Sequence, residues 1–362
     1  MSEGSARSRQ LRFGVIGTGL MGCEHLRNLL ALPGAEVAAV CDRNEESRYW
    51  ARLTIGEQHP PRACETVKEA LDADLDAVVI ATPNFTHGEV LHEVFAARPD
   101  LPVLVEKPLC TTVADCRAVE RAAADRPAMV WVGLEYRFMP PVARFLQEVR
   151  GGAVGTLHMI SVREHRFPFL PKVDNWNRFN ENTGGTLVEK CCHFFDLMRL
   201  AAQSDPVRVL ASGAQSVNHV DERYDGRQPD ILDNAYVIVE FASGARGCLD
   251  LCMFAEASRN EQELCAAGDA GKVEAFVPEA LVRIGDRATR QVREIATSQD
   301  ERVRHTGFHH GASYLELAAF ADAIRTGASP AVTVADGTWA VATGQAAHLS
   351  IDEARPVLLA EL

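Results

Sequence analysis

The segment Gly17-Thr18-Gly19-Leu20-Met21-Gly22 constrains this chain most, because it falls where a short apolar run ends and an amphipathic one begins. Leu11–Ile16 predicts a strand before it, and Met21–Leu32 predicts a helix after it, closed by Pro33-Gly34. At such a junction the first glycine permits a tight turn. The second lets backbone N–H groups approach a pyrophosphate, and the third lets helix and strand pack closely. The anion would sit at the positive end of the helix dipole. A GxGxxG pattern alone is weak, since glycine-rich turns are common, and Asp42 supplies the missing context. It follows the next β-branched run, Glu36–Cys41, about twenty residues past Gly22, where a carboxylate hydrogen-bonds the ribose of a dinucleotide. A carboxylate there repels a 2′-phosphate and favours NAD, while the neighbouring Arg43 keeps NADP open. The cofactor set read from this segment is Gly17, Gly19, Leu20, Met21, Gly22, Asp42 and Arg43.

Strands and helices go on alternating to Gly133. Ala77–Ala81, Val103–Glu106 and Ala128–Gly133 read as strands, with helices over His87–Ala97 and Val113–Ala124 between them. That rhythm predicts βαβ units and a parallel sheet, and the near-continuous apolarity of Asp76–Ile80 and Val103–Val105 suits strands buried on both faces. Beyond Gly133 the texture changes. After a helix at Pro141–Arg150 come longer alternating strands, Leu157–Val162, Ala235–Phe241 and Arg246–Phe254, the last two joined by the turn Ala242–Ala245. A hairpin implies antiparallel pairing. The expected fold is α/β: a Rossmann dinucleotide-binding domain over residues 10–133, then an α+β domain over 134–362 with a large, open, mainly antiparallel sheet. A last helix, Asp336–Ile351, is expected to pack back on the first domain.

At 362 residues the chain has length for two domains, and its net charge of −13 argues against nucleic acid or an anionic membrane as partner. Residues 1–10 are polar and lack the apolar core of a secretory signal, and no apolar run reaches transmembrane length. The expected setting is the cytoplasm. The ten cysteines include no CxxC pair and read as buried free thiols.

Three further segments carry a resemblance. Ala81-Thr82-Pro83-Asn84-Phe85-Thr86-His87 follows one strand, and Glu106-Lys107-Pro108 ends another. The third is Gly184-Gly185-Thr186-Leu187-Val188-Glu189-Lys190-Cys191-Cys192-His193-Phe194-Phe195-Asp196. With the glycine loop, their order and spacing resemble the Gfo/Idh/MocA oxidoreductases, a family that includes inositol dehydrogenases, glucose–fructose oxidoreductase and sugar dehydrogenases. Tyr136–Pro140 and Ser313–Phe320 resemble its interdomain and C-terminal segments. The resemblance spans nearly the whole chain and says little about the particular substrate. It implies hydride transfer between a nicotinamide and a secondary alcohol of an inositol, sugar or sugar derivative, in a homodimer or homotetramer.

Alcohol oxidation needs a base for the hydroxyl proton and a donor that stabilises charge on the oxygen. His193 suits the first role by its ordinary pKa, and Lys107, at the carboxyl end of a parallel strand, suits the second. On one continuous helix Glu189 and His193 would share a face, with Asp196 a turn beyond, so Glu189 could orient Lys107 or His193. The family usually has Asp at the position of Glu189 and Gly at that of Cys191, which leaves the role of Glu189 open. Thr82, Asn84, His87, Glu106 and Lys107 are expected along the cofactor cleft. Arg137, Trp176, Asn177, Arg178 and His310, with Lys107, Glu189 and His193, are the candidate substrate contacts. No metal is expected: His309 and His310 are adjacent and diverge, and no carboxylate is evident near them in sequence. Two other functions fit the same residues: an NAD-dependent glycosidase working through transient C3 oxidation, and a non-catalytic cofactor-binding regulator.

Overall fold

A computed structural model describes residues 10–56 and 60–362. Residues 1–9, most of the polar N-terminal stretch, lie outside the described part. The first sheet has six parallel strands: β1 (Leu11–Ile16), β2 (Ala35–Cys41), β3 (Arg62–Cys64), β4 (Ala77–Ile80), β5 (Val103–Glu106) and β6 (Val130–Gly133). Their spatial order is 3-2-1-4-5-6. Helices α1 (Leu20–Ala31), α2 (Glu45–Ile55), α3 (Val67–Leu71), α4 (His87–Ala97) and α5 (Val113–Ala124) alternate with them. In this doubly wound arrangement the strand order reverses beside β1, and ligands bind at the carboxyl ends of the strands there. Residues in β4 and β5 are buried throughout, as both faces of the sheet are covered.

The second domain holds α6 (Pro140–Arg150), β7 (Leu157–His165), α7 (Asn180–Thr183), α8 (Thr186–Glu189) and α9 (Cys192–Ala202). Strands β8 (Pro206–Ala214), β9 (Asn234–Phe241), β10 (Arg246–Cys252), β11 (Gln262–Gly268), β12 (Gly271–Val277), β13 (Leu281–Asp286) and β14 (Val292–Ala296) follow. Helices α10 (Ala312–Thr326) and α11 (Val334–Glu353) and the short β15 (Val357–Leu358) complete the chain. Its nine-stranded sheet runs 14-13-12-11-7-10-9-8-15 and is antiparallel except where β7 meets β10. The expected fold class is what the chain adopts.

One face of this sheet packs on α6, α9 and α11. The other carries exposed apolar side chains, among them Met159 and Tyr236, each 64% exposed, with Leu210 and Ile238. That face corrects the expectation of uniformly buried thiols: Cys248 points outward and is exposed, because alternate residues of β10 lie on the uncovered side.

Helix α11 is capped by Thr333, whose hydroxyl accepts from Asp336 N while the Asp336 carboxylate accepts from Thr333 N. It runs back along the first domain, where Gln345 Oε1 accepts from Val113 N at 2.9 Å. Gly337 lies against Leu109 and Val132, where an added Cβ would come within 3.0–3.2 Å. Among the described residues, no helix is long and apolar enough to cross a membrane.

Candidate active site

The glycine loop is built by backbone alone. Gly17 has φ +90°, and a Cβ there would lie 2.5 Å from the backbone of Ala81 and Thr82. A Cβ on Gly22 would lie 2.0 Å from the Gly17 carbonyl, whereas one on Gly19 would meet nothing within 4 Å. So two glycines serve close packing, and the middle one leaves open space in front of α1. That helix begins at Gly19 with no side-chain cap and no acidic residue in its first turn, which leaves its first N–H groups free for an anion. Leu20 is exposed and Met21 half-buried at the same turn. Asp42 Oδ2 accepts from Thr18 N at 2.8 Å, and its Oδ1 accepts from Asn44 N at 2.8 Å, so the carboxylate is fixed beside the loop. Arg43 is exposed next to it. An open phosphate cradle with a neighbouring carboxylate fits NAD.

Several expected cleft residues have other duties. His87 is wholly buried, with Nδ1 2.8 Å from the Pro108 carbonyl and Nε2 3.0 Å from that of Thr82. It ties together the loops after β4 and β5 and, with both ring nitrogens used there, does not line the cleft, which corrects the expectation. Glu106 Oε1 lies 2.6 Å from buried His25 Nε2, and Oε2 accepts from Lys107 N. Both oxygens are committed inside the protein, and nothing in the sequence spacing of His25 singles it out. Thr82 is half-buried, its hydroxyl accepting from Thr86. Asn84 is buried, and its Nδ2 has no hydrogen-bond partner.

Lys107 reaches from the end of β5 into the second domain, where Nζ donates to the Glu189 main-chain carbonyl at 3.2 Å. The expected continuous helix is broken here, between α8 and α9, with Lys190 and Cys191 outside both. Released from the helical ladder, the Glu189 carbonyl can accept from Lys107. The Glu189 carboxylate turns instead to Lys172, 3.0 Å away, and does not orient Lys107 or His193 as the helical spacing suggested. Lys172 Nζ also sits 4.4 Å above the ring of Trp176, which meets Phe85 edge-on.

His193 lies in α9, buried, its ring stacked on Tyr136 with centroids 3.9 Å apart and planes 10° apart. Burial, and then the cations of Lys107 and Lys190, push its pKa well below the usual histidine value. A neutral imidazole is the protonation state a general base requires. Asp196, a turn further along α9, is paired with Arg137.

Arg137 is likewise corrected as a substrate contact: Asp196, Asp336 at 3.1 Å and the Ala331 carbonyl occupy its guanidinium. Two residues of the turn Val173–Arg178, which carries Trp176, are also used internally. Asn177 Nδ2 donates to the Leu170 carbonyl and Arg178 Nε to Glu222, and both residues are buried. Trp176 stays partly accessible. His310 is half-buried, with Nε2 lacking a hydrogen-bond partner. The expectation that no carboxylate lies near His309 is overturned. Glu135 Oε1 and Glu24 Oε1 lie 3.0 and 3.6 Å from its Nδ1, brought there from distant sequence. Together these three could hold a metal ion. They also balance one another: burial opposes charge on His309, but Glu135 and Glu24 raise its pKa to about 9.

Two family patterns match the chain, the NAD-binding Rossmann fold of an oxidoreductase family over residues 11–134 and its C-terminal alpha/beta domain over 147–359. The protein belongs to the Gfo/Idh/MocA oxidoreductases. Among curated relatives, myo-inositol 2-dehydrogenase of Thermotoga maritima is 28% identical over 97% of this chain and 99% of its own length. The scyllo-inositol 2-dehydrogenase (NAD(+)) of Bacillus subtilis is 27% identical over 97% and 96%. A crystal structure of GenD2 from gentamicin A biosynthesis, in complex with NAD, is 25% identical, covers 99% of each chain and superposes with a TM-score of 0.79. In this Gfo/Idh/MocA protein the glycine loop, Asp42 and Lys107 belong to a first domain that binds NAD, and Lys107 reaches the segment of the second domain that leads into His193.

Proposed function

We propose that this enzyme oxidises a secondary alcohol of an inositol- or sugar-like polyol, with Lys107 and His193 as its catalytic residues. The observation that carries the assignment is the 3.2 Å contact from Lys107 Nζ to the Glu189 carbonyl, which joins the cofactor-side lysine to the segment bearing His193. NAD, when bound, supplies the hydride acceptor. The residues do the rest. The neutral His193 imidazole takes the hydroxyl proton, and the Lys107 ammonium donates to the same oxygen, stabilising the charge that develops as the proton leaves. Glu189 Oε2, buried and without a hydrogen-bond partner, and Trp176 are the nearest candidates for contacts to other substrate hydroxyls. Lys172 is added to that group through its bond to Glu189. Asp42 favours NAD over NADP, as its carboxylate repels a 2′-phosphate.

A second copy of the chain is the occupant we assign to the uncovered sheet face around Met159, Leu210, Tyr236 and Ile238, giving a homodimer or homotetramer. A light-scattering mass of one chain would sink that part. The cytoplasm is the assigned setting, since a reducing pool keeps ten thiols free.

The test is to follow reduced nicotinamide by absorbance while offering inositols, hexoses, methyl glycosides and aminosugars with NAD and NADP in turn. Reduction of NAD by one polyol class is expected, and Lys107→Met should lower kcat roughly 10²–10³-fold with NAD still bound. Near-normal turnover by Lys107→Met overturns the assignment. Glycoside cleavage with no net reduced cofactor would favour the redox-neutral glycosidase.

A further inference from the structure

Lys190 lies in the break between α8 and α9, and the mechanism so far gives it nothing to do. It is 4% exposed. Its ammonium lies 2.8 Å from Glu164 Oε1 and donates to the Tyr136 hydroxyl at 2.6 Å. The same nitrogen sits 4.8 Å from the centroid of the Tyr136 ring and 5.5 Å from that of Phe194. Glu164 is fully buried in β7, so the charge that holds Lys190 comes from the interior of the large sheet.

A buried ion pair of this kind brings little net stability, because desolvating both charges offsets their attraction. Its geometric effect is large. Tyr136 is anchored by its main chain in the turn Glu135–Phe138 and by its hydroxyl on Lys190, which fixes the plane of its ring. His193 lies flat against that plane, 3.9 Å away. Glu164, Lys190, Tyr136 and His193 therefore form one continuous support running from the sheet to the base.

We propose that Lys190 is a positioning residue of this active site, held by Glu164 and holding Tyr136 so that the His193 imidazole meets the substrate hydroxyl in a single orientation. The proposal rests on the assignment of His193 as base. Electrostatics act in the same sense: after burial, Lys107, Lys190, His309 and Arg166 disfavour a charged His193, with the Tyr136 ring against it. Removing one of these cations makes the imidazole easier to protonate. The base then becomes protonated at higher pH.

Lys190→Met, assayed with NAD and the polyol that wild type oxidises, is expected to lower kcat roughly tenfold to a hundredfold while KM for the polyol stays near wild type. The acidic limb of its kcat/KM profile should move to higher pH. Lys190→Arg, which keeps a charged donor, should bring the limb back and restore part of kcat. A purely structural lysine would leave the limb in place and lose rate only in proportion to folded protein, and that result overturns the proposal. If Lys190→Met does not accumulate as folded enzyme, Tyr136→Phe asks the same question by removing only the hydroxyl. A fall in kcat with an unchanged Tm supports the proposal, and an unchanged kcat overturns it. His193→Asn separates the two layers: wild-type turnover there removes His193 as base, whereas an inactive His193→Asn beside an unaffected Lys190→Met removes only the role of Lys190.

Discussion

The cofactor cradle of the first domain and the charged wall around Glu189 and His193 are made of different materials. The cradle is backbone: two glycines packed against carbonyls, a third facing open space, and a helix start without a cap. The wall is side-chain charge brought together from different elements, Lys172 on Glu189, Lys190 on Glu164 and Arg137 on Asp196. A backbone device depends on local conformation and tolerates no Cβ at its tight points. A wall of ion pairs depends on every partner staying charged and in place, because a buried charge that loses its partner is costly.

The contrast is open to direct attack. The largest effect should come from the wall. Arg137→Met leaves Asp196 buried and unpaired, and is expected to cost about 3–5 kcal/mol in chemical denaturation. A loss below about 1 kcal/mol would show that the wall is not held together by its pairs. In the cradle the expected effects are smaller and differ between neighbouring glycines. Gly22→Ala places a methyl 2.0 Å from the Gly17 carbonyl and should destabilise by about 1–3 kcal/mol. Gly19→Ala enters open space, so stability should change by less than about 0.5 kcal/mol while KM for NAD rises roughly tenfold. Equal stability losses for the two glycines would break the claim that one serves the fold and the other the ligand.

The same division decides what could be read without coordinates. The cradle was legible because its requirements lie within a few residues: Gly17 to Gly22, then Asp42 at a fixed distance. Strand β5 and helix α5 have the bounds that their apolar patterns predict. Lys107 and His193 are proposed from motif and chemistry together. What failed depended on distant partners. The break after Glu189 has no glycine or proline at it, and it coincides with Lys107 taking the Glu189 carbonyl. Arg137 looked free because Asp196 and Asp336 lie 59 and 199 positions further on (196 − 137 and 336 − 137). Glu164 and Lys190 belong to different elements, and no periodicity links a strand residue to a helix break. His87 opens α4 and Glu106 ends β5, as their patterns predict, but a sequence does not say which way a side chain turns.

Helix α11 carries a different consequence. It belongs by sequence to the second half, yet it covers Leu109 and Val132 of the first, and its Gly344 sits where a Cβ would touch the Leu187 carbonyl at 2.4 Å. Anyone dividing the chain near residue 134 would strip the nucleotide-binding half of its lid of apolar contacts and leave the segment that leads into His193 without its backing. The two halves are therefore heritable only as a set. A recombination that exchanged the substrate domain for another would have to bring a compatible last helix with it, so the specificity of such an enzyme is free to drift residue by residue but not to be swapped in one piece.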